Sequence, residues 1–78
     1  MLDLKQILTD IAKAIVDEPD AVTVIGEDNG NSVVLTLSVA APDMGKVIGR
    51  NGRIAKAIRT VMKAAANADG KKVTVEIR

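Results

Sequence analysis

The segment with the clearest chemical potential is Gly49-Arg50-Asn51-Gly52, a tetrapeptide with glycine at both ends. The two glycines allow the chain to reverse without side-chain clashes and allow a bound backbone to approach closely. A helix that starts after Gly52 offers unpaired N–H groups at its positive end, where a phosphate binds favourably. Arg50 adds a charged donor, and Arg53 and Lys56 follow in the first turns of that helix. This arrangement outlines an anion site, although a plain turn between two helices would have the same pattern.

Two phosphate-binding loops of nucleotide enzymes can be excluded here. A P-loop requires Gly-Lys-Ser/Thr, whereas Gly45-Lys46 is followed by Val47. The dinucleotide fingerprint G-x-G-x-x-G requires a first glycine at the position of Val47. The segment therefore matches neither class of nucleotide-binding enzyme.

The composition excludes most catalytic chemistry. The 78 residues include no His and no Cys, which removes the commonest general base, the thiolate nucleophile and the usual ligands of zinc, haem and iron–sulfur clusters. We therefore predict one non-enzymatic domain over residues 1–78, without metal or cofactor.

No aromatic residue is present, which excludes proteins that stack bases on aromatic rings. No apolar run approaches the roughly 20 residues of a membrane span, so we expect a cytoplasmic protein without membrane contact.

The net charge of +1 conceals an uneven distribution. Residues 1–43 contain two lysines against eight acidic residues, whereas residues 44–68 contain six basic residues and no acidic residue. A neutral chain with such a basic segment can still present a positive face to a polyanion. A charged run is as often a solvated helix face, so the distribution alone does not decide between the two.

Hydrophobic periodicity predicts the elements that position the loop. Apolar spacing predicts a helix over residues 3–17 that ends before Pro19, and short β-branched or alternating runs predict strands at 21–26 and 32–40. The Asn29-Gly30 pair between them is typical of a hairpin. A short helix is predicted from Pro42, and a longer helix after Gly52 has an apolar stripe of Ile54, Ile58, Val61, Met62 and Ala65. The last element is an alternating strand through Val73, Val75 and Ile77, which completes the order α-β-β-α-α-β. We expect an α+β fold with the helices on one face of a three-stranded mixed sheet, in which the second and last strands could pair in parallel.

The run from Val47 to Ile54, with Ile58 one turn later, resembles the V-I-G-x-x-G-x-x-I signature of the KH domain. The element order resembles the bacterial, type II arrangement over essentially the whole chain. In size the chain is most similar to small single-domain bacterial RNA-binding proteins of the KhpA type.

This resemblance implies a clamp for about four nucleotides of single-stranded RNA, with DNA left open. Gly49 and Gly52 would shape the clamp, and Arg50 and Asn51 would contact the sugar–phosphate backbone. Phosphate contacts would come from Lys46, Arg53 and Lys56, with Arg59 and Lys63 as weaker candidates. Val47, Ile48 and Ile54 would form part of an apolar floor, although core packing is the role that we favour for all three.

Two functional classes remain after this interpretation. The first is a non-catalytic RNA-binding protein that acts as a post-transcriptional regulator or RNA chaperone. The second is a protein–protein adaptor or dimerisation module on the same scaffold with little nucleic-acid binding. The resemblance implies a homodimer or a heterodimer with a larger KH-containing protein, and either would raise the avidity of a weak site.

Overall fold

The order of elements agrees with the sequence-based prediction. The computed structural model describes residues 3–78. It contains three α-helices, three strands and three short 3-10 turns. The helices are α1 (Leu4–Ile15), α2 (Met44–Ile48) and α3 (Arg53–Ala68), the strands are β1 (Thr23–Asp28), β2 (Ser32–Ser38) and β3 (Lys72–Ile77), and the turns are Pro19–Ala21, Ala41–Asp43 and Arg50–Gly52.

The three strands form one mixed sheet in the order β1-β2-β3. β1 and β2 are antiparallel, whereas β2 and β3 are parallel, with Leu35 opposite Val75. A parallel pair requires a long crossover, and α2 and α3 supply it. The glycine loop therefore lies within the connection between the two parallel strands.

The helices cover one face of the sheet, as predicted. The largest side chains that are fully buried include Leu8 of α1, Leu35 and Leu37 of β2, and Met62 of α3. Alternate strand residues point to the opposite face, where Ile25 is 64% exposed. The fold is therefore the expected α+β arrangement with a three-stranded mixed sheet.

The element boundaries differ from the prediction mainly around Pro19. α1 ends at Ile15, two residues early, and β1 begins two residues late at Thr23, because Pro19–Ala21 forms a 3-10 turn. The hairpin turn is as predicted: Gly30 has a φ of 87°, and its N–H donates to Asp28 Oδ1 at 2.9 Å. Within residues 3–78, no helix combines the length and the hydropathy that crossing a bilayer would require.

Candidate nucleic-acid interface

The tetrapeptide between α2 and α3 adopts a backbone that few residue types tolerate. Gly49 (φ 75°, ψ 175°), Asn51 (φ 56°, ψ 27°) and Gly52 (φ 73°, ψ 16°) all have positive φ. Asn51 is the one non-glycine residue with positive φ in the described part of the chain, and Asn is among the side chains that accept it. The N–H of Gly49 donates to the Gly45 carbonyl at 2.8 Å, and the N–H of Gly52 donates to the Gly49 carbonyl at 3.2 Å. The loop is therefore a fixed turn with a specific shape.

Gly49 also contacts the start of α3 too closely for any larger residue. A Cβ atom at Gly49 would lie 2.6 Å from Ile54 Cγ1 and 3.0 Å from Ile54 Cβ. A Cβ atom at Gly52 would have no neighbour within 4 Å. The two glycines thus have different roles: Gly49 permits close packing of the loop on α3, and Gly52 permits the left-handed turn that begins the helix.

A row of basic side chains extends from the loop along α3. Lys56, Arg59 and Lys63 are exposed and are spaced i, i+3 and i+7, which places them on one helix face. Arg59 reaches β3, where its Nε donates to the Val75 carbonyl at 3.2 Å. Arg50 lies exposed in the loop at the N-terminal end of the same helix. The structure therefore brings together a turn of positive φ and a cationic row on which no acidic residue occurs.

Lys46 has a different environment from the one expected for a phosphate contact. Its ammonium group forms an ion pair with Asp17 and lies 3.5 Å from Asp43 Oδ1. The hydrogen bond to Asp17 raises the pKa of Lys46, although its partial burial opposes the charged form. The charge of Lys46 is therefore compensated locally, and the residue joins α2 to the segment that follows α1.

Asp43 is a buried acidic residue whose contacts no pattern in the sequence indicates. The residue is 1% exposed, and its side chain makes no capping bond to α2. Instead, its two oxygens accept hydrogen bonds from the N–H groups of Asp17, at 3.2 Å, and Glu18, at 3.0 Å. Burial would raise the pKa of Asp43, but these hydrogen bonds and Lys46 outweigh burial and lower it. Asp43 fixes the chain after α1 against the helix that leads into the loop.

The three aliphatic candidates for the apolar floor differ in their exposure. Val47 is fully buried, so its predicted core role is confirmed. The core prediction is wrong for Ile48 and Ile54, which are 38% and 36% exposed. The final isoleucine of the V-I-G-x-x-G-x-x-I signature falls at Ala55, which is 5% exposed. Adjacent helix residues point about 100° apart, so Ile54 lies on a different face of α3 from Ala55.

Ile54 belongs to an apolar strip between α1 and α3. A groove of about 430 Å³ runs along this strip and is lined by Arg53 and by the apolar residues Ile11, Ile15, Ile54, Ala57, Ile58 and Val61. Val61 was predicted to belong to the apolar stripe of the longer helix, but it is 50% exposed. Arg53, at the first position of α3, also lies at this groove. The apolar stripe predicted for the longer helix therefore includes residues from two faces of α3, a buried face centred on Met62 and the exposed strip.

The described residues offer no metal site. Among residues 3–78, no group of three or more acidic side chains could hold a metal ion. The sequence contains no His or Cys. The loop and the first turns of α3 carry Arg50, Arg53 and Lys56 and no acidic residue, and this charge suits an anionic polymer.

Comparison with known proteins gives consistent matches over the length of the chain. Residues 5–77 match the family model of the KhpA/KhpB KH domain. RNA-binding protein KhpA of Clostridium acetobutylicum is 58% identical over 74 residues, covering 95% of this chain and 99% of that protein. RNA-binding protein KhpA of Bacillus subtilis is 46% identical over 74 residues, covering 95% of this chain and 91% of that protein.

A solved structure shares the fold at lower identity. The crystal structure of Era in complex with MgGDPNP and nucleotides 1506–1542 of 16S ribosomal RNA superposes with a TM-score of 0.67 at 20% identity. The match covers 95% of this chain and 28% of Era. The fold, the family model and the relatives agree, and they confirm the expectation of a non-enzymatic protein: the chain belongs to the KhpA/KhpB family of KH domains.

Proposed function

We propose that this chain binds single-stranded RNA without catalysis, holding about four nucleotides by their backbone at the Gly49–Gly52 loop. The observation that carries the proposal is the loop itself, a turn of positive φ at the start of α3 with Arg50 exposed on it. Relatives of 58% and 46% identity are named RNA-binding proteins, which supports the same conclusion. Action in the cytoplasm as a post-transcriptional regulator or RNA chaperone forms part of this proposal.

The proposed binding path begins at the loop and follows α3. Arg50 and Asn51 contact the sugar–phosphate backbone, while Gly49 and Gly52 keep the loop free of side chains that would hold the strand away. Lys56 and Lys63 add charge along the helix, where the segment Met44–Ala68 contains no acidic residue. Single strands are the proposed ligand because a KH-type loop clamps about four nucleotides of one backbone.

The direct test replaces Arg50 and Asn51 together by Asp, which changes the charge of the loop by −3. We expect this variant to lose binding of a fluorescent single-stranded RNA octamer at low salt while its circular dichroism spectrum stays unchanged. A matched control, Lys5→Glu with Gln6→Glu, makes the same charge change on the exposed first turn of α1. Equal binding by the loop variant and the wild type would refute the clamp, and equal losses in both variants would reduce it to a general charge effect.

The apolar strip supports a second candidate function, self-association. Of the four large apolar side chains exposed in the described residues, Ile54 and Val61 lie in this strip, whereas Ile25 lies on the opposite sheet face. A symmetric dimer uses the same patch on both subunits, so two copies of this chain could bury the strip against itself. Such a dimer would also pair two weak clamps and raise avidity.

Sedimentation equilibrium with interference optics tests self-association, because the chain lacks the aromatic residues needed for absorbance detection in the near ultraviolet. We expect a dimer for the wild type and a monomer for Val61→Asp. The control Ile25→Asp, on the other face of the sheet, should stay dimeric. A monomeric wild type at every concentration measured would contradict self-association through this strip.

A further inference from the structure

Arg59 connects the basic row of α3 to the edge of the sheet. Its Nε donates to the Val75 carbonyl at 3.2 Å, in a partly buried position. β3 pairs with β2 on one side only, so its other side is an open edge of the sheet. Arg59 therefore lies where α3 meets this edge, and its guanidinium group is held there by a main-chain atom.

The hydrogen bond to Val75 leaves the rest of the guanidinium group available. An arginine has five N–H donors in a rigid plane and no acceptor, and the Nε–H accounts for one of them. Within residues 3–78, the bond from Nε to the Val75 carbonyl is the one hydrogen bond that the Arg59 guanidinium group makes to the protein. The fixed Nε sets the orientation of the plane, so the two terminal groups form a pre-positioned fork.

We propose that Arg59 selects the base, favouring nucleotides with two adjacent acceptors on one edge, namely guanine through O6 and N7 or cytosine through O2 and N3. Adenine and uracil place an N–H donor beside each acceptor on these edges, so they cannot fill both arms of the fork. Bidentate contact of arginine with guanine O6 and N7 is a favourable pairing in nucleic-acid recognition.

This inference rests on the proposed function, because Arg59 can read a base only if the loop holds the strand. Arg59 follows Gly52 by seven residues, or about 10 Å along the helix axis. That distance separates the base reader from the backbone clamp, so the two contact different parts of the bound segment. Lys56 and Lys63 flank Arg59 on the same face and meet phosphates, which carry no sequence information.

Four labelled octamers test the selection by fluorescence anisotropy at one low salt concentration: rU8 and the same sequence with two uridines replaced by guanosine, cytidine or adenosine. We expect the wild type to bind the guanosine octamer, the cytidine octamer or both roughly 5- to 150-fold more tightly than the other two. Arg59→Lys keeps the charge but removes the fork, so it should bind all four octamers within about twofold of the wild-type affinity for rU8. The control Lys63→Gln should weaken all four equally and keep their ratio.

Modified bases make the test independent of any variant that might fold poorly. With the wild-type protein, 7-deazaguanosine removes N7 and 3-deazacytidine removes N3, so each should abolish the preference for its parent base. Equal wild-type affinity for all four octamers would overturn the inference while leaving the clamp intact. A preference that survives in Arg59→Lys, or with both modified bases, would also overturn it. Failure of the wild type to bind any octamer would instead refute the proposed function and the inference together.

Discussion

The two glycines of the loop should respond very differently to the same substitution, Gly→Ala. Gly49 lies at φ 75° and ψ 175°, a region that is essentially restricted to glycine, whereas Gly52 lies in the ordinary left-handed helical region. An alanine at Gly49 would also place its Cβ 2.6 Å from Ile54 Cγ1. Because Ile54 Cβ, at 3.0 Å, is attached directly to the α3 backbone, a change of rotamer cannot remove the whole clash.

The structure gives a magnitude for each substitution. At Gly49, the backbone conformation costs about 1–3 kcal/mol and the steric overlap a further 1–3 kcal/mol or so. At Gly52, the left-handed conformation costs about 1–2 kcal/mol, and no steric overlap is added. Both variants regain about 0.4–1 kcal/mol because alanine restricts the unfolded chain. We therefore expect Gly49→Ala to be less stable than Gly52→Ala by roughly 2 kcal/mol.

Urea denaturation followed by far-UV circular dichroism measures this difference, since the chain has no aromatic fluorophore. With a urea slope of about 1 kcal/mol per M, the two midpoints should differ by roughly 2 M. Adding Ile54→Ala to Gly49→Ala should recover part of the loss, because it removes Cγ1 and Cδ1 of Ile54 but not the strained φ. Coincident midpoints for the two single variants would refute the assignment of different roles to the two glycines.

Three further predictions concern pH, salt and the core. The pKa of Asp43 is lowered in the folded chain, so its ionised form stabilises the fold above the ordinary carboxyl pKa of 3.8, and this contribution is lost as the pH falls through the lowered value. Asp43→Asn should therefore flatten the acid limb of a curve of stability against pH relative to the wild type. An unchanged acid limb would contradict this role of Asp43. The proposed site makes three phosphate contacts, from Arg50, Lys56 and Lys63, and a plot of log affinity for single-stranded RNA against log salt should therefore have a slope of about −2. Lys63→Gln removes one contact and should make this slope shallower by about 0.7. An unaltered slope would show that Lys63 makes no phosphate contact. Met62 is fully buried, so Met62→Ala should cost about 2–5 kcal/mol in urea denaturation, whereas a loss below about 1 kcal/mol would contradict its central place in the core.

Local patterns in the sequence predicted most of the fold. The i, i+3, i+4 spacing of Leu4, Ile7 and Leu8 and the alternation from Val33 to Val39 depend on helix and strand periods that hold in almost any context. The boundaries around Pro19 were less accurate because a 3-10 turn has no hydrophobic period of its own. The parallel pairing of β2 with β3 also followed from general rules of chain connection.

The candidate site could be predicted less completely, because its details depend on contacts between distant residues. The turn at Gly49–Gly52 was recognisable from residue types alone. The ion pair of Lys46 with Asp17 and the bond from Arg59 to Val75 join residues 29 and 16 positions apart, and no local pattern indicates either one. Ile54 is exposed and the adjacent Ala55 is buried, and this difference in exposure becomes visible only once α3 is packed in the fold.

The position of the glycine loop within the β2–β3 crossover has a consequence for folding kinetics. Ser32 of β2 pairs with Lys72 of β3, so this pairing must close a segment of about 40 residues before its contacts stabilise the chain. Contacts of such long range slow folding, and α3 gains its support on β3 only once they form. We therefore expect the loop to reach its final geometry late, after the last strand has docked, so that during synthesis an incomplete chain would not yet hold a nucleic-acid strand.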